Sequence, residues 1–278
     1  VERIKEEHDM RKQVNGIDMK YELTWKQNAP VVVLSHSLAS SLIMWDPQMD
    51  ALTSRFRVLR YDTRGHGGTD APKEAYTLDL LAEDLISLMD TLEIEEAHFV
   101  GLSMGGMIGQ TLALKHPARF LSFVLCDTAA IMPEETQPLW KERIAKVRKE
   151  GMQALADETL ERWFTSDFLS LNPPIVKRIR QQMVSTPAAG YVGCAEAIRT
   201  LNYLDRLEDI NKPVLILVGE KDQGTPVEAA RAIHERIEGS QLEVIPSAAH
   251  LSNIQQTDIF NSALIKFLSG QDGDSVTT

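Results

Sequence analysis

The sequence predicts an α/β fold: a mostly parallel eight-stranded sheet flanked by helices, with a helical cap inserted after the sixth strand. Three observations carry this. Short β-branched runs with apolar residues on both faces recur along the chain, as strands buried between two helical layers require. Helical periodicities separate these runs. One long stretch, from about Met132 to Arg206, has helical patterns only.

Taken in order, KQVNGIDMKYELT opens with Asn15-Gly16 between two alternating segments, a strong hairpin signal. VVVLSH (31–36), FRVLRYD (56–62), AHFVGLS (97–103), FLSFVLCD (120–127), PVLILVGE (213–220) and QLEVIP (241–246) then read as six strands of the buried parallel kind. Leu78, Leu81, Leu85, Leu88 and Leu92 share one helical face, with Thr77 as N-cap. Further helices are expected from Ser103 to His116-Pro117, over Glu228 to Ile237, and from Ile254 through Phe267. Between strands six and seven, LWKERIAKV and IVKRIRQQM are helical and Pro133, Pro138, Pro173, Pro174 and Pro187 punctuate the segment. The expected organisation is therefore a core of residues 1–131 and 207–270, a cap of residues 132–206 and a disordered tail of residues 271–278; the polar run SGQDGDSVTT begins just after Leu268.

Composition narrows the function. With 43% hydrophobic and 25% charged residues in 278, the chain is an ordinary globular protein able to bury a sizeable core. A net charge of −11 argues against a nucleic-acid or anionic-membrane surface, which needs a basic face. Two cysteines, Cys126 and Cys194, exclude a disulfide framework and favour a cytoplasmic setting. The opening VERIKEEHDM lacks the apolar core of a signal peptide, and no run approaches the ~18 apolar residues of a membrane span.

Chemistry concentrates at GLSMGGM. Gly101-Leu102-Ser103-Met104-Gly105 fits G-x-S-x-G, the nucleophile elbow, and it follows a predicted strand and opens a predicted helix as that turn demands. Such a serine needs a base and an orienting acid. His250, in SAAHLSN after the last strand, is the histidine placed to be the base. His8, His98, His116 and His234 have structural readings; His66 lies in the turn RGHGG, and His36 ends a strand and shapes a loop. The acid is expected to be Asp222 in GEKDQGTP, with Asp127 in VLCDTAA as competitor; Asp62 precedes Ser103 and violates the Ser, acid, His order. One oxyanion donor is the backbone N–H of Met104, the residue after the nucleophile, and the second comes from Leu38 or Ser37. No G-x-x-x-x-G-K-[ST] loop, complete dinucleotide fingerprint, H-E-x-x-H or paired-histidine cluster occurs, so no cofactor and no metal are expected.

Over residues 10 to 269 these motifs, in this order, resemble the α/β-hydrolase family. More narrowly, SHSLASSLIMWDPQMDAL, FRVLRYDTRGHGGTDAP, AHFVGLSMGGMIGQ, LERWFTSDF and TPAAGYVGCAEAI are similar to the 3-oxoadipate enol-lactonase branch. The resemblance implies an α/β-hydrolase fold, Ser103, Asp222 and His250 as triad, Leu38 and Met104 as oxyanion donors, and Trp163 facing the pocket. His36-Ser37 stands where the wider family has His-Gly, as in that branch. RTLNYLDRL departs from the charged residues usual after AEAI; were it to line the pocket, a less polar substrate would suit it.

The expected reaction is acyl transfer on a small-molecule ester or lactone, through an acyl-enzyme on Ser103. Ser37, Trp163 and Tyr191 are the candidate pocket residues; Trp140, Met152 and Met183 read as packing between cap and core. The alternatives are a general carboxylesterase for acyclic or aromatic esters, and a slow-turnover ligand-binding receptor on the same fold.

Overall fold

A computed structural model describes residues 6–271. Its elements are β1 (Glu6–Val14), β2 (Ile17–Thr24), β3 (Val31–Ser35), α1 (Asp46–Thr53), β4 (Arg57–Tyr61), α2 (Leu78–Thr91), β5 (Ala97–Leu102), α3 (Met104–Lys115) and β6 (Phe120–Cys126), followed by α4 (Gln137–Glu150), α5 (Ala156–Trp163), α6 (Ser166–Ser170), α7 (Pro174–Ser185) and α8 (Ala188–Arg199). The chain then returns through β7 (Val214–Gly219), α9 (Val227–Arg236), β8 (Gln241–Ile245), α10 (Ser252–Gln255) and α11 (Thr257–Gln271).

One eight-stranded sheet has the order β1-β2-β4-β3-β5-β6-β7-β8. Its first two strands form the hairpin that Asn15-Gly16 announces, both residues taking the positive φ (44° and 79°) such a two-residue turn needs. From β4 onward the pairing is parallel. Every residue of β3, β5 and β7 is buried, which is why their sequences lack alternation. β8 differs: as the edge strand it leaves Gln241 and Val244 exposed, although its sequence reads like the central strands.

The helices follow the leucine and N-cap signals closely. α2 starts where Thr77 Oγ1 accepts the Leu80 N–H at 3.0 Å. The last expected helix is broken instead of continuous: Gln256 leaves helical geometry (φ −128°, ψ 55°), separating α10 from α11, while Thr257 Oγ1 donates to the Asn253 and Ile254 carbonyls. Gln271, the first residue of the expected disordered tail, continues α11 together with Ser269 and Gly270 of the polar run; the remaining tail residues lie outside the described ones.

Between β6 and β7 lie five α-helices, and residues at the two ends of the segment meet at a single antiparallel bridge, Ile131 to Asn202. α8 seats this segment on the core through glycine. A Cβ at Gly190 would collide with the Gly65 backbone and one at Gly193 with the Tyr76 ring, so backbone packs on backbone where a side chain would pry the layers apart. Among the described residues no helix is long and apolar enough to cross a membrane.

Candidate active site

Four loops at the carboxyl edge of the sheet, after β3, β5, β7 and β8, carry Ser103, Asp222, His250 and the oxyanion candidates Ser37 and Leu38, whereas Trp163 and Tyr191 lie on α5 and α8. Parallel α/β sheets bind ligands at this edge, where strand ends and helix starts converge.

Ser103 sits between β5 and α3 with φ 57° and ψ −113°, a conformation that costs a non-glycine residue about 1–3 kcal/mol. Its neighbours over-determine it. The Ser103 N–H donates to the Cys126 carbonyl at 2.8 Å, and the Ser103 carbonyl accepts from Met107 N–H (3.1 Å) and Thr128 Oγ1 (2.8 Å). The flanking glycines are sterically required: a Cβ on Gly101 would meet the Gly105 carbonyl, and one on Gly105 would meet the Ser35 carbonyl at the end of β3. Strand and helix backbones thus come together beneath a half-buried serine.

The structure brings His250 and Asp222 together. His250 Nδ1 lies 2.8 Å from Asp222 Oδ2, and both side chains are buried. Asp222 accepts three further bonds: Gly224 N–H at 2.8 Å and Thr225 N–H at 3.1 Å on Oδ1, and Thr225 Oγ1 at 2.7 Å on Oδ2. With a carboxylate on Nδ1, that nitrogen carries the proton and Nε2 keeps its lone pair. Burial opposes both charges; for Asp222, the His250 charge and hydrogen bond and the Thr225 bonds prevail and lower the pKa. Burial likewise disfavours the imidazolium, but Asp222 and then Asp127 outweigh it and raise the His250 pKa above its ordinary 6.5.

Asp127, the competing acid, is buried and has other hydrogen-bond partners. Its Oδ1 accepts the Gly219 N–H at 2.7 Å and its Oδ2 the Ser252 hydroxyl at 2.6 Å, joining the end of β6 to the end of β7 and to the segment two residues past His250. Burial, then the nearby Asp222 charge, push its pKa to about 8.

The loop after β3 separates the two second-donor candidates. The Ser37 N–H is occupied by Met44 Sδ at 3.3 Å. The N–H groups of Leu38 and Met104 make no hydrogen bond to a described residue, and Met104 is the first residue of α3, whose leading amides have no intrahelical acceptor.

Of the pocket candidates, Trp163 has a direct link to the site: its ring centroid is 6.4 Å from that of His250, and its carbonyl accepts the Leu251 N–H at 3.1 Å. Ser37 is buried in its loop and Tyr191 is buried on α8. Met152 and Met183 are core, while Trp140 donates to Met132 Sδ. The RTLNYLDRL segment forms the seam at the base of the helical insertion. Asn202 pairs with Ile131, and the Tyr203 hydroxyl accepts from Thr111 Oγ1 on α3 at 3.2 Å.

Sequence reasoning did not single out Thr128, Thr225 or Ser252. Only Thr225 had a signal: in D-Q-G-T the aspartate is placed to accept backbone N–H groups two and three residues on, an Asx-type turn. Thr128 and Ser252 act across strands.

A family model described as alpha/beta hydrolase fold matches residues 30–257. The chain belongs to this family and is a hydrolase. It is 36% identical to 3-oxoadipate enol-lactonase 2 of Acinetobacter baylyi (strain ATCC 33305 / BD413 / ADP1), over 89% of this chain and 92% of that one. It is 30% identical to the putative carbamate hydrolase RutD of Caulobacter sp. (strain K31), over 86% and 91%. Among solved structures, the enol-lactonase from Burkholderia xenovorans LB400 superposes with a TM-score of 0.90 at 40% identity, covering 94% of this chain and 100% of that one.

Proposed function

We propose that this hydrolase cleaves carboxylic esters or lactones through a serine acyl-enzyme, with Ser103 as nucleophile, His250 as general base and then acid, and Asp222 as orienting acid. The reading rests on the His250–Asp222 pair, which fixes the imidazole tautomer, at the same sheet edge as the strained Ser103 elbow. Ser103 Oγ attacks the carbonyl carbon and passes its proton to His250 Nε2. The N–H groups of Leu38 and Met104 receive the developing oxyanion, whose stabilisation usually contributes more to such catalysis than any other single effect. Collapse breaks the acyl C–O bond, and His250 protonates the departing oxygen; in a lactone that oxygen stays tethered to the acyl chain. Water, deprotonated by His250, then releases the acid.

Within this class, likeness to two enol-lactonases supports a 3-oxoadipate-type enol-lactone as substrate. The helices between β6 and β7 act as the cap, with Trp163 as its contact to the catalytic histidine. The test is kcat/KM for 3-oxoadipate enol-lactone and for p-nitrophenyl butyrate, with Ser103→Ala as blank. The reading expects a lactone preference of at least about a hundredfold, or roughly 3 kcal/mol of differential transition-state binding. Turnover of the ester with no action on the lactone would keep the chemistry and discard the substrate.

A further inference from the structure

Two buried histidines, His36 and His66, lie outside the proposed triad with ring centroids 5.3 Å apart. Their hydrogen bonds fix their tautomers. The Thr63 backbone N–H donates to His36 Nε2 at 2.9 Å, so His36 carries its proton on Nδ1 and donates it to the Ser37 carbonyl at 2.8 Å. The Ala39 N–H donates to His66 Nε2 at 2.9 Å, so His66 Nδ1–H points to the Arg64 carbonyl at 3.2 Å.

The two groups held, the Ser37 carbonyl and the Ala39 N–H, belong to the peptide units on either side of the Leu38 Cα. In a planar trans peptide the C=O and N–H point in opposite directions. Holding the Ser37 carbonyl from one side, with help from Ser40 N–H at 3.2 Å, therefore sends the Leu38 N–H to the other. Ala39 completes the restraint in a left-handed conformation (φ 60°) that the His66 acceptor keeps in place.

We propose that His36 and His66 are positioning residues that set the Leu38 peptide plane, and with it the second oxyanion donor, without touching substrate. This rests on the serine-hydrolase reading above. A rotated Ser37–Leu38 peptide would turn a carbonyl oxygen, in place of an N–H, toward the developing oxyanion. Burial, countered only in part by the bond to Ser37, lowers His36 to about 4. Burial and then the His36 charge lower His66 to about 3. Both rings are thus neutral at ordinary pH, as their acceptor nitrogens require.

The test uses amide side chains that imitate one ring nitrogen each. Asparagine places its amide near Nδ1, and glutamine reaches the position of Nε2. At position 36 the pin is the Nδ1 donor, so His36→Asn retains kcat while His36→Gln loses it. At position 66 the pin is the Nε2 acceptor, so the order reverses: His66→Gln retains kcat and His66→Asn loses it. Turnover of p-nitrophenyl butyrate by the full chain should fall about ten- to a hundredfold in the two losing variants, with KM within about twofold of wild type. An alkyl trifluoromethyl ketone supplies a second reading. Ser103 Oγ adds to its carbonyl carbon, the serine proton passes to His250, and the carbonyl oxygen becomes the bound oxyanion. Its affinity should fall by the same factor as kcat.

A merely structural role predicts kcat that follows the melting temperature, with no reversal between positions. That result, or wild-type kcat and inhibitor affinity in folded His36→Gln, would overturn the proposal. The order at either position suffices if one variant fails to fold. Undiminished turnover by Ser103→Ala would instead overturn the serine-hydrolase reading.

Discussion

At the scale of single residues, two buried aspartates stand near one histidine and have different partners. Asp222 bonds His250 directly, whereas Asp127 bonds Gly219 and Ser252. Asp222→Asn should lower kcat by about four orders of magnitude with little change in melting temperature, because an amide on Nδ1 permits the wrong tautomer. Asp127→Ala should cost roughly 2–4 kcal/mol of stability by leaving a buried N–H and hydroxyl unpaired, while kcat changes less than about tenfold; urea unfolding beside steady-state kinetics separates the two cases. Titration gives a second reading. In the proposed mechanism His250 must be neutral to accept the serine proton, and its pKa is raised, so kcat/KM should climb with pH through a midpoint above 6.5.

At the scale of elements, the sequence contained most of what the strand ends need. The hairpin, the buried strands and the glycine-serine-glycine elbow were readable because each rests on local chemistry: φ > 0, two-sided burial, or lack of room for a Cβ. What was not readable depends on distant partners. The residues alone leave the second donor open between Ser37 and Leu38, with the resemblance implying Leu38; the Met44 Sδ partner of the Ser37 amide, seven residues away, is visible only in the fold. Asp222 was preferred over Asp127, but the job of Asp127 became visible only with β6, β7 and the His250 loop assembled. The break at Gln256 interrupts an apolar pattern that continues across it, so periodicity alone read one helix. Glycine packing makes its own prediction. Gly190→Ala would drive a methyl into the Gly65 backbone, which has no flexible side chain to move aside. It should destabilise the protein by about 1–3 kcal/mol, the usual cost of overpacking, and raise KM more than it lowers kcat, as read from urea unfolding and from kinetics on p-nitrophenyl butyrate.

At the scale of the whole molecule, two buried neutral histidines should make folding acid-sensitive. In the unfolded chain His36 and His66 titrate near 6.5, whereas the folded protein holds them at about 4 and about 3. Below pH 6.5 the unfolded state binds protons that the native state refuses. The stabilisation is therefore present above 6.5 and is lost as pH falls toward those lower values, a loss of a few kcal/mol per residue. Urea midpoints measured from pH 7 to pH 4.5 should fall less steeply for His36→Asn than for wild type. The same architecture ties the His250 loop to the helical insertion. The Leu251 N–H bonds the Trp163 carbonyl, and Gln255 on α10 accepts the N–H groups of both Ala249 and Thr165, so the His250 loop is held between sheet and insertion.

The most direct test of the central claim is to trap the intermediate. The enzyme is mixed with excess p-nitrophenyl butyrate, quenched in acid within the first turnovers, and its mass measured before and after proteolysis. One added butyryl group is expected on the peptide bearing Ser103, absent in Ser103→Ala and formed far more slowly in Asp222→Asn. A butyryl group on another residue, or full turnover by Ser103→Ala, would contradict it.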